Sequence, residues 1–108
     1  DGLGPVDVLR ALFPCGSITG APKLRAMEII TEVERYGRGL YTGSIGHISP
    51  DGTARFNVAI RTISLEEGAA SGVVGLGSGI VADSQPDAEW QECLDKARFI
   101  AAHQEGYR

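Results

Sequence analysis

YTGSIGHISPDGTARFNVAIRTIS, residues 41–64, decides the fold class. Two runs rich in β-branched and aromatic residues meet at Pro50-Asp51-Gly52, a turn tripeptide that supplies a fixed φ, an acceptor side chain and a residue free to adopt positive φ. In the second run Phe56, Val58 and Ile60 alternate with Arg55, Asn57, Ala59 and Arg61, the period of two expected of a strand with one apolar face. The run is read as a strand through Ser64. Glu66-Glu67-Gly68 then marks another turn, and the Gly/Val-rich residues 71–82 read as a third strand, giving an antiparallel meander.

On either side of this sheet the period changes to that of a helix. VDVLRALF, residues 6–13, carries apolar residues at helical spacing and stops at Pro14. From Pro22 to about Glu34, residues Ala26, Met27, Ile29, Ile30 and Val33 form an apolar stripe opposite Lys23, Arg25, Glu32 and Arg35; Gly37 and Gly39 lie just beyond. Ser84-Gln85-Pro86-Asp87 resembles a capping-box start and leads a helix to about Gln104. The order is helix, helix, three strands, helix, which is an α+β fold. By length the 108 residues make one domain. The start at Asp1 without an initiator methionine, and the polar end GYR, read as a piece of a longer protein.

Composition narrows the partners. A net charge of −4 gives no basic field for nucleic acid or an anionic membrane, and no apolar run is long enough to span a bilayer. Cys15 and Cys93 have neither CxxC nor Cys/His spacing, so two reduced thiols in a cytoplasmic protein are expected.

PCGSITGAPK, residues 14–23, is built to approach a ligand: two glycines, the hydroxyls of Ser17 and Thr19, and a proline entering a helix whose first N–H groups attract negative charge. It is not a phosphate-binding loop, because three residues separate Gly16 from Gly20 and Ala21-Pro22 stands before Lys23. A helix-entry loop capped by Thr19 is the other reading. In the last helix, at about 100° per residue, Glu89, Glu92, Lys96 and His103 share a narrow stripe with Gln85. Trp90, Cys93, Leu94, Ala97, Ile100 and Ala101 form the apolar face, and Gln91, Asp95, Arg98 and Ala102 the solvent side. Two carboxylates at i, i+3 suit a hard cation such as Mg²⁺; a solvated face with a Glu92–Lys96 pair is the plainer alternative. GLGSGIV, residues 75–81, has Ile80 where a dinucleotide fingerprint needs glycine. It is either a bare strand or one whose N–H groups approach a carboxylate. Arg61 reads as an exposed sheet arginine or a carboxylate fork, and Tyr41 and His47 as packing or structural residues.

Taken in order, LFPCGSITGAPKLRAMEII, LYTGSIGHISPDG, FNVAIRTI and GSGIVADSQPDAEWQECLDKARF resemble the C-terminal part of the chorismate-utilising enzymes, the family of anthranilate, aminodeoxychorismate and isochorismate synthases. The SITGAPK form is most similar to aminodeoxychorismate synthase component I. Cys15 and Ser78 depart from the family's usual glycine or alanine, and both are small. The resemblance implies that residues 1–108 are the C-terminal portion of a chorismate-binding domain. It implies that Thr19 and Gly20 lie in the chorismate loop, that Tyr41 and Arg61 hold the enolpyruvyl carboxylate, and that Gly77 and Gly79 offer backbone N–H groups. Glu92 then ligates Mg²⁺ with Glu89 close by, and Lys96 helps to hold the ring carboxylate. It further implies amination of chorismate to 4-amino-4-deoxychorismate for p-aminobenzoate and folate, with ammonia from a glutamine amidotransferase. The nucleophilic lysine, a second metal-binding glutamate and the general acid are expected upstream of Asp1. Anthranilate synthesis, or a fragment that only binds or assembles, are the alternatives.

Overall fold

The computed structural model describes residues 2–104, and the side-chain surroundings of residues 2–100. The fold is α+β, and the chain divides into two compact units, Asp1–Thr62 and Ile63–Arg108.

The first unit opens with helix α1, Pro5–Leu12, in which proline occupies the first turn and Asp7 Oδ2 accepts the Gly4 N–H at 2.9 Å. Pro14 cannot extend it. Helix α2, Gly16–Thr19, is a single turn inside the stretch expected to be a loop. Its last residue donates its own hydroxyl, Thr19 Oγ1, to the Cys15 carbonyl at 3.1 Å. Thr19 therefore does not cap the following helix, α3, Lys23–Val33, whose N-cap is Pro22 with no side-chain cap. Between the two helices Gly20 adopts φ +124°, and a Cβ there would stand 3.0 Å from the Ala26 Cβ, so the corner needs glycine both for conformation and for room. Along the apolar stripe of α3, Ala26, Met27 and Ile30 are half-buried and Ile29 and Val33 are exposed.

Strands β1, Ser44–Ile48, and β2, Ala54–Val58, form the expected hairpin, with Ser44 opposite Val58 and Ile48 opposite Ala54. The turn closes as its sequence dictates: Asp51 Oδ1 accepts the Thr53 N–H at 2.9 Å and the Thr53 hydroxyl at 2.7 Å, and Gly52 takes φ +86°. These hydrogen bonds to Thr53 hold the Asp51 carboxyl below its usual range. Gly46 faces Phe56 across the pair, and the ring occupies the space that a side chain at position 46 would fill.

The second strand stops six residues short of the expected Ser64. Residues 59–62 bend away instead, with Arg61 at φ +50°, and Arg61 does not lie on a strand face. Nothing in its side chain announces a left-handed conformation. The alternation fails at the same place: Ala59, assigned to the polar face, is the one buried hydrophobic residue among those described, while Ile60 and Phe56 are exposed. Ala59 is locked by its backbone, which accepts the Thr42 N–H and donates to the Gly43 carbonyl, both at 2.9 Å.

In the second unit the meander is replaced by a short ladder of β3, Ile63–Ser64, antiparallel to β4, Val73–Val74. The expected strand over residues 71–82 is reduced to those two valines, because the glycine-rich residues after them make no ladder. Helix α4, Pro86–Gln104, has the expected bounds and proline start. Ser84, however, accepts the Val81 N–H at 2.9 Å. On its apolar face Cys93, Ala97 and Ile100 are half-buried, whereas Trp90 is 65% and Leu94 44% exposed. The side chains of Ala101, Ala102 and His103 lie outside the described residues. Both cysteines are free thiols, and no described helix is long and apolar enough to cross a membrane.

The Arg61 bend has a measurable signature. Arg61→Gly should be more stable than Arg61→Ala by about 1 kcal/mol in urea unfolding, since only alanine keeps the left-handed strain and glycine's greater unfolded-chain entropy offsets part of the gain. Equal stabilities would show that the bend does not hold position 61 at positive φ.

Candidate functional site

The expected site residues fall into two clusters, one in each unit. In the first, the turn after α3 carries Tyr41 and leads into β1. Tyr41 N donates to the Arg38 carbonyl at 3.0 Å and Gly43 N to the Leu40 carbonyl at 2.8 Å. Thr42 stands at φ +64°. Thr42 and Arg61 are the two non-glycine residues with positive φ among those described, and the Thr42–Ala59 hydrogen bond joins their segments. Strained backbone of this kind persists where the surroundings over-determine it, and it gathers at binding sites. Tyr41 and Arg61 are thus carried by two adjoining, conformationally fixed segments. Thr19 and Gly20 belong to the α2–α3 corner of the same unit.

Arg38 is a residue the sequence reading passed over. Its guanidinium grips the Glu34 carboxylate by Nε at 2.9 Å and Nη2 at 2.6 Å, and donates from Nη1 to Thr42 Oγ1 at 3.3 Å. It also lies 5.8 Å from the centre of the Tyr41 ring. The hydrogen bond from Arg38 lowers the Glu34 pKa, and Glu34 in return raises that of Arg38. The Glu34/Arg38 spacing of four was visible, but it straddles the end of α3 where the helical period stops.

In the second unit Lys96 Nζ donates to the Gly77 carbonyl at 2.8 Å and pairs with Glu92 Oε1 at 2.7 Å. The Gly77 carbonyl thus faces α4. On the solvent side of α4 Gln91 donates to Asp95 at 3.1 Å and Arg98 pairs with Asp95 at 3.0 Å, as the helical spacing predicts.

Glu89 is different in kind from Glu92. Its Oε2 is enclosed and has no hydrogen-bond partner, whereas Glu92 is half-exposed and paired. The Ser84 and Ser78 hydroxyls lie close enough to lower its pKa, and Lys96 adds to this, against the opposing effect of desolvation. Neither serine is aligned to satisfy Oε2. The carboxylate is held ionised with an unused oxygen, which is costly unless a cation or donor takes it. The sequence reading took Ser84 as the start of a capping box and Ser78 as a small departure from the family pattern, and it gave neither a place beside Glu89.

Two carboxylates do not complete the roughly six oxygens that Mg²⁺ requires. No described group of three or more Asp, Glu, His or Cys forms a full metal site. The donor chemistry at Glu89 and Glu92 nevertheless fits a hard divalent cation that draws its other ligands from a bound carboxylate, water or further protein. A separate open hollow of about 430 Å³ over the β1–β2 hairpin is lined by Ile45, His47, Arg55 and Phe56 among others, and it contains none of the expected site residues.

A family profile described as chorismate binding enzyme matches residues 1–102. Anthranilate synthase component 1 of Geobacillus stearothermophilus is 48% identical over 100 residues, covering 93% of this chain and 19% of that protein. The chloroplastic aminodeoxychorismate synthase of Arabidopsis thaliana is 49% identical over 99 residues, 92% of this chain and 11% of that protein. An anthranilate synthase component 1 of Haloarcula marismortui is 53% identical over 100 residues, 93% and 20% respectively. The chain spans about a fifth of the length of the first and third of these relatives and about a tenth of the second.

The Glu89 environment predicts a pH dependence. Its folded pKa lies below the ordinary 4.5, so its contribution to stability is present above the unfolded value and is lost as pH falls through the folded one. The urea midpoint of the wild type minus that of Glu89→Gln, measured without divalent cation, should fall as the pH is lowered from about 6 through the carboxylate range. A difference that stays constant or grows on acidification contradicts this.

Proposed function

Because this chain belongs to the chorismate-binding enzymes, we propose that it furnishes part of a chorismate site in a chorismate-aminating synthase. The observation that carries the reading is the Glu89 carboxylate, one oxygen of which is enclosed without a hydrogen-bond partner, one turn before Glu92 on the Lys96 stripe. An anionic protein group beside an anionic substrate is favourable only with a cation between them. Glu92 and Glu89 are the proposed Mg²⁺ ligands. When bound, the cation supplies Lewis-acid stabilisation of the substrate's ring carboxylate as charge shifts through the conjugated ring.

The chain's own residues divide the remaining work. Lys96 orients Glu92 and keeps a positive charge beside the ring carboxylate. It also fixes the Gly77 carbonyl, so that the N–H groups of Gly77 and Gly79 are left for the substrate. Arg61 and Tyr41 bind the enolpyruvyl carboxylate, the guanidinium by paired charge-assisted hydrogen bonds and the phenol by one. Thr19 can accept a hydrogen bond while its proton is spent on Cys15, and Gly20 allows close approach of the loop.

The reaction we favour is that of aminodeoxychorismate synthase component I, in which ammonia from a glutamine amidotransferase aminates chorismate on the way to p-aminobenzoate and folate in the cytoplasm. The support is the SITGAPK form of the loop and the Arabidopsis relative. Anthranilate synthesis is the second reading, favoured by relatives of equal or higher identity. Product analysis of the full-length protein with chorismate, ammonia and Mg²⁺ separates them: 4-amino-4-deoxychorismate supports the first reading, anthranilate the second, and no chorismate turnover overturns both.

The metal assignment is tested by substitution in the same protein. Glu92→Gln should abolish most activity, with partial recovery in excess Mg²⁺, and cost only about 0.3–0.5 kcal/mol of stability through the lost Lys96 pair. Asp95→Asn, on the solvent side of α4, should leave activity unchanged. Small and equal effects from both would return Glu92 to a solvated ion pair.

A further inference from the structure

Tyr41 has no rigid element of its own to hold it. It lies in the turn between α3 and β1, half-buried, with its neighbour Thr42 at φ +64°. Beyond the backbone hydrogen bonds of Tyr41, Thr42 and Gly43, that turn is tied to α3 by a run of contacts through the Arg38 side chain. Glu34, the C-cap of α3, fixes the Arg38 guanidinium by two short charge-assisted bonds. Arg38 passes the constraint to Thr42 Oγ1 through Nη1, and Thr42 Oγ1 donates in turn to the Tyr41 carbonyl at 2.6 Å. The guanidinium also stands over the Tyr41 ring within the range of a cation–π contact. Only 24% of the Arg38 side chain is exposed, so the fork is more restrained than a typical surface pair.

We propose that Arg38, set by Glu34, is a positioning residue for chorismate binding: it fixes the ring and backbone of Tyr41 so that the phenol meets the substrate carboxylate. This rests on the placement of Tyr41 at that carboxylate. Arginine is required because three jobs fall to one planar group: the bidentate grip on Glu34, the bond to Thr42 and the ring contact. Lysine can perform one of them at a time.

The test uses the full-length protein and the steady-state kinetics of chorismate turnover. Arg38→Lys should raise KM for chorismate on the order of tenfold, as loss of positioning does, with kcat little changed. Glu34→Gln should move KM in the same direction by less, and it carries the test if Arg38→Lys fails to fold. In a Tyr41→Phe background neither substitution should add a further rise, since the hydroxyl they position is gone. A wild-type KM in folded Arg38→Lys, or in Glu34→Gln where that variant carries the test, overturns the proposal. So does a rise that persists undiminished in the Tyr41→Phe background, which is the mark of a merely structural role. If Tyr41→Phe alone keeps the wild-type KM, the placement of Tyr41 fails and the positioning role with it. If Tyr41→Phe raises KM and Arg38→Lys does not, the positioning role alone fails.

Discussion

Lys96 divides one positive charge between two oxygens, the Gly77 carbonyl at 2.8 Å and Glu92 Oε1 at 2.7 Å. Much follows from that division. The glycine-rich residues 75–81 make no ladder hydrogen bonds and have little side chain to pack, so their attachment to α4 depends on such polar ties. Holding Glu92 on the Lys96 side leaves Glu89, one turn earlier, with the serines and an oxygen that nothing satisfies. A plain surface ion pair contributes little to stability. This one matters for geometry, because it sets which carbonyl turns towards the helix and how the Glu92 carboxylate is held.

The first unit solves a related problem by different means. Its turn between α3 and β1 and its bend at residues 59–62 both contain non-glycine residues at positive φ, and each is held by hydrogen bonds to the other segment or to Arg38. Such strain lowers stability for the sake of fixed side-chain directions. The absence of a large buried core among the described residues, with Ala59 alone buried, makes these polar restraints more important than they are in a well-packed domain.

What could be read from sequence follows the physics of local signals. Helices α1, α3 and α4 and the hairpin were legible because periodicity, proline and the Pro50-Asp51-Gly52 turn are encoded within a few residues. The stop of β2 was not, since an arginine at positive φ has no compositional mark and the restraint on Ala59 comes from Thr42 and Gly43. The long third strand was over-read: valine and glycine fit extended backbone, but only a partner makes a ladder, and β3 offers two residues. The Glu89, Glu92 and Lys96 stripe was legible from helical spacing alone. That Glu89 and not Glu92 has the orphaned oxygen was not, because it depends on Ser78 and Ser84 across the loop before α4. Arg38 was missed because its partners lie on both sides of a helix end.

The central claim is that the α4 carboxylates and a dicarboxylate substrate are joined by a divalent cation. Calorimetric titration of chorismate into the full-length protein at a series of Mg²⁺ concentrations tests it directly. Chorismate should bind more tightly as Mg²⁺ rises, by on the order of tenfold at saturation, and chorismate should tighten Mg²⁺ binding by the same factor, as linkage requires. A chorismate Kd that is the same with Mg²⁺ and with chelator would contradict the account.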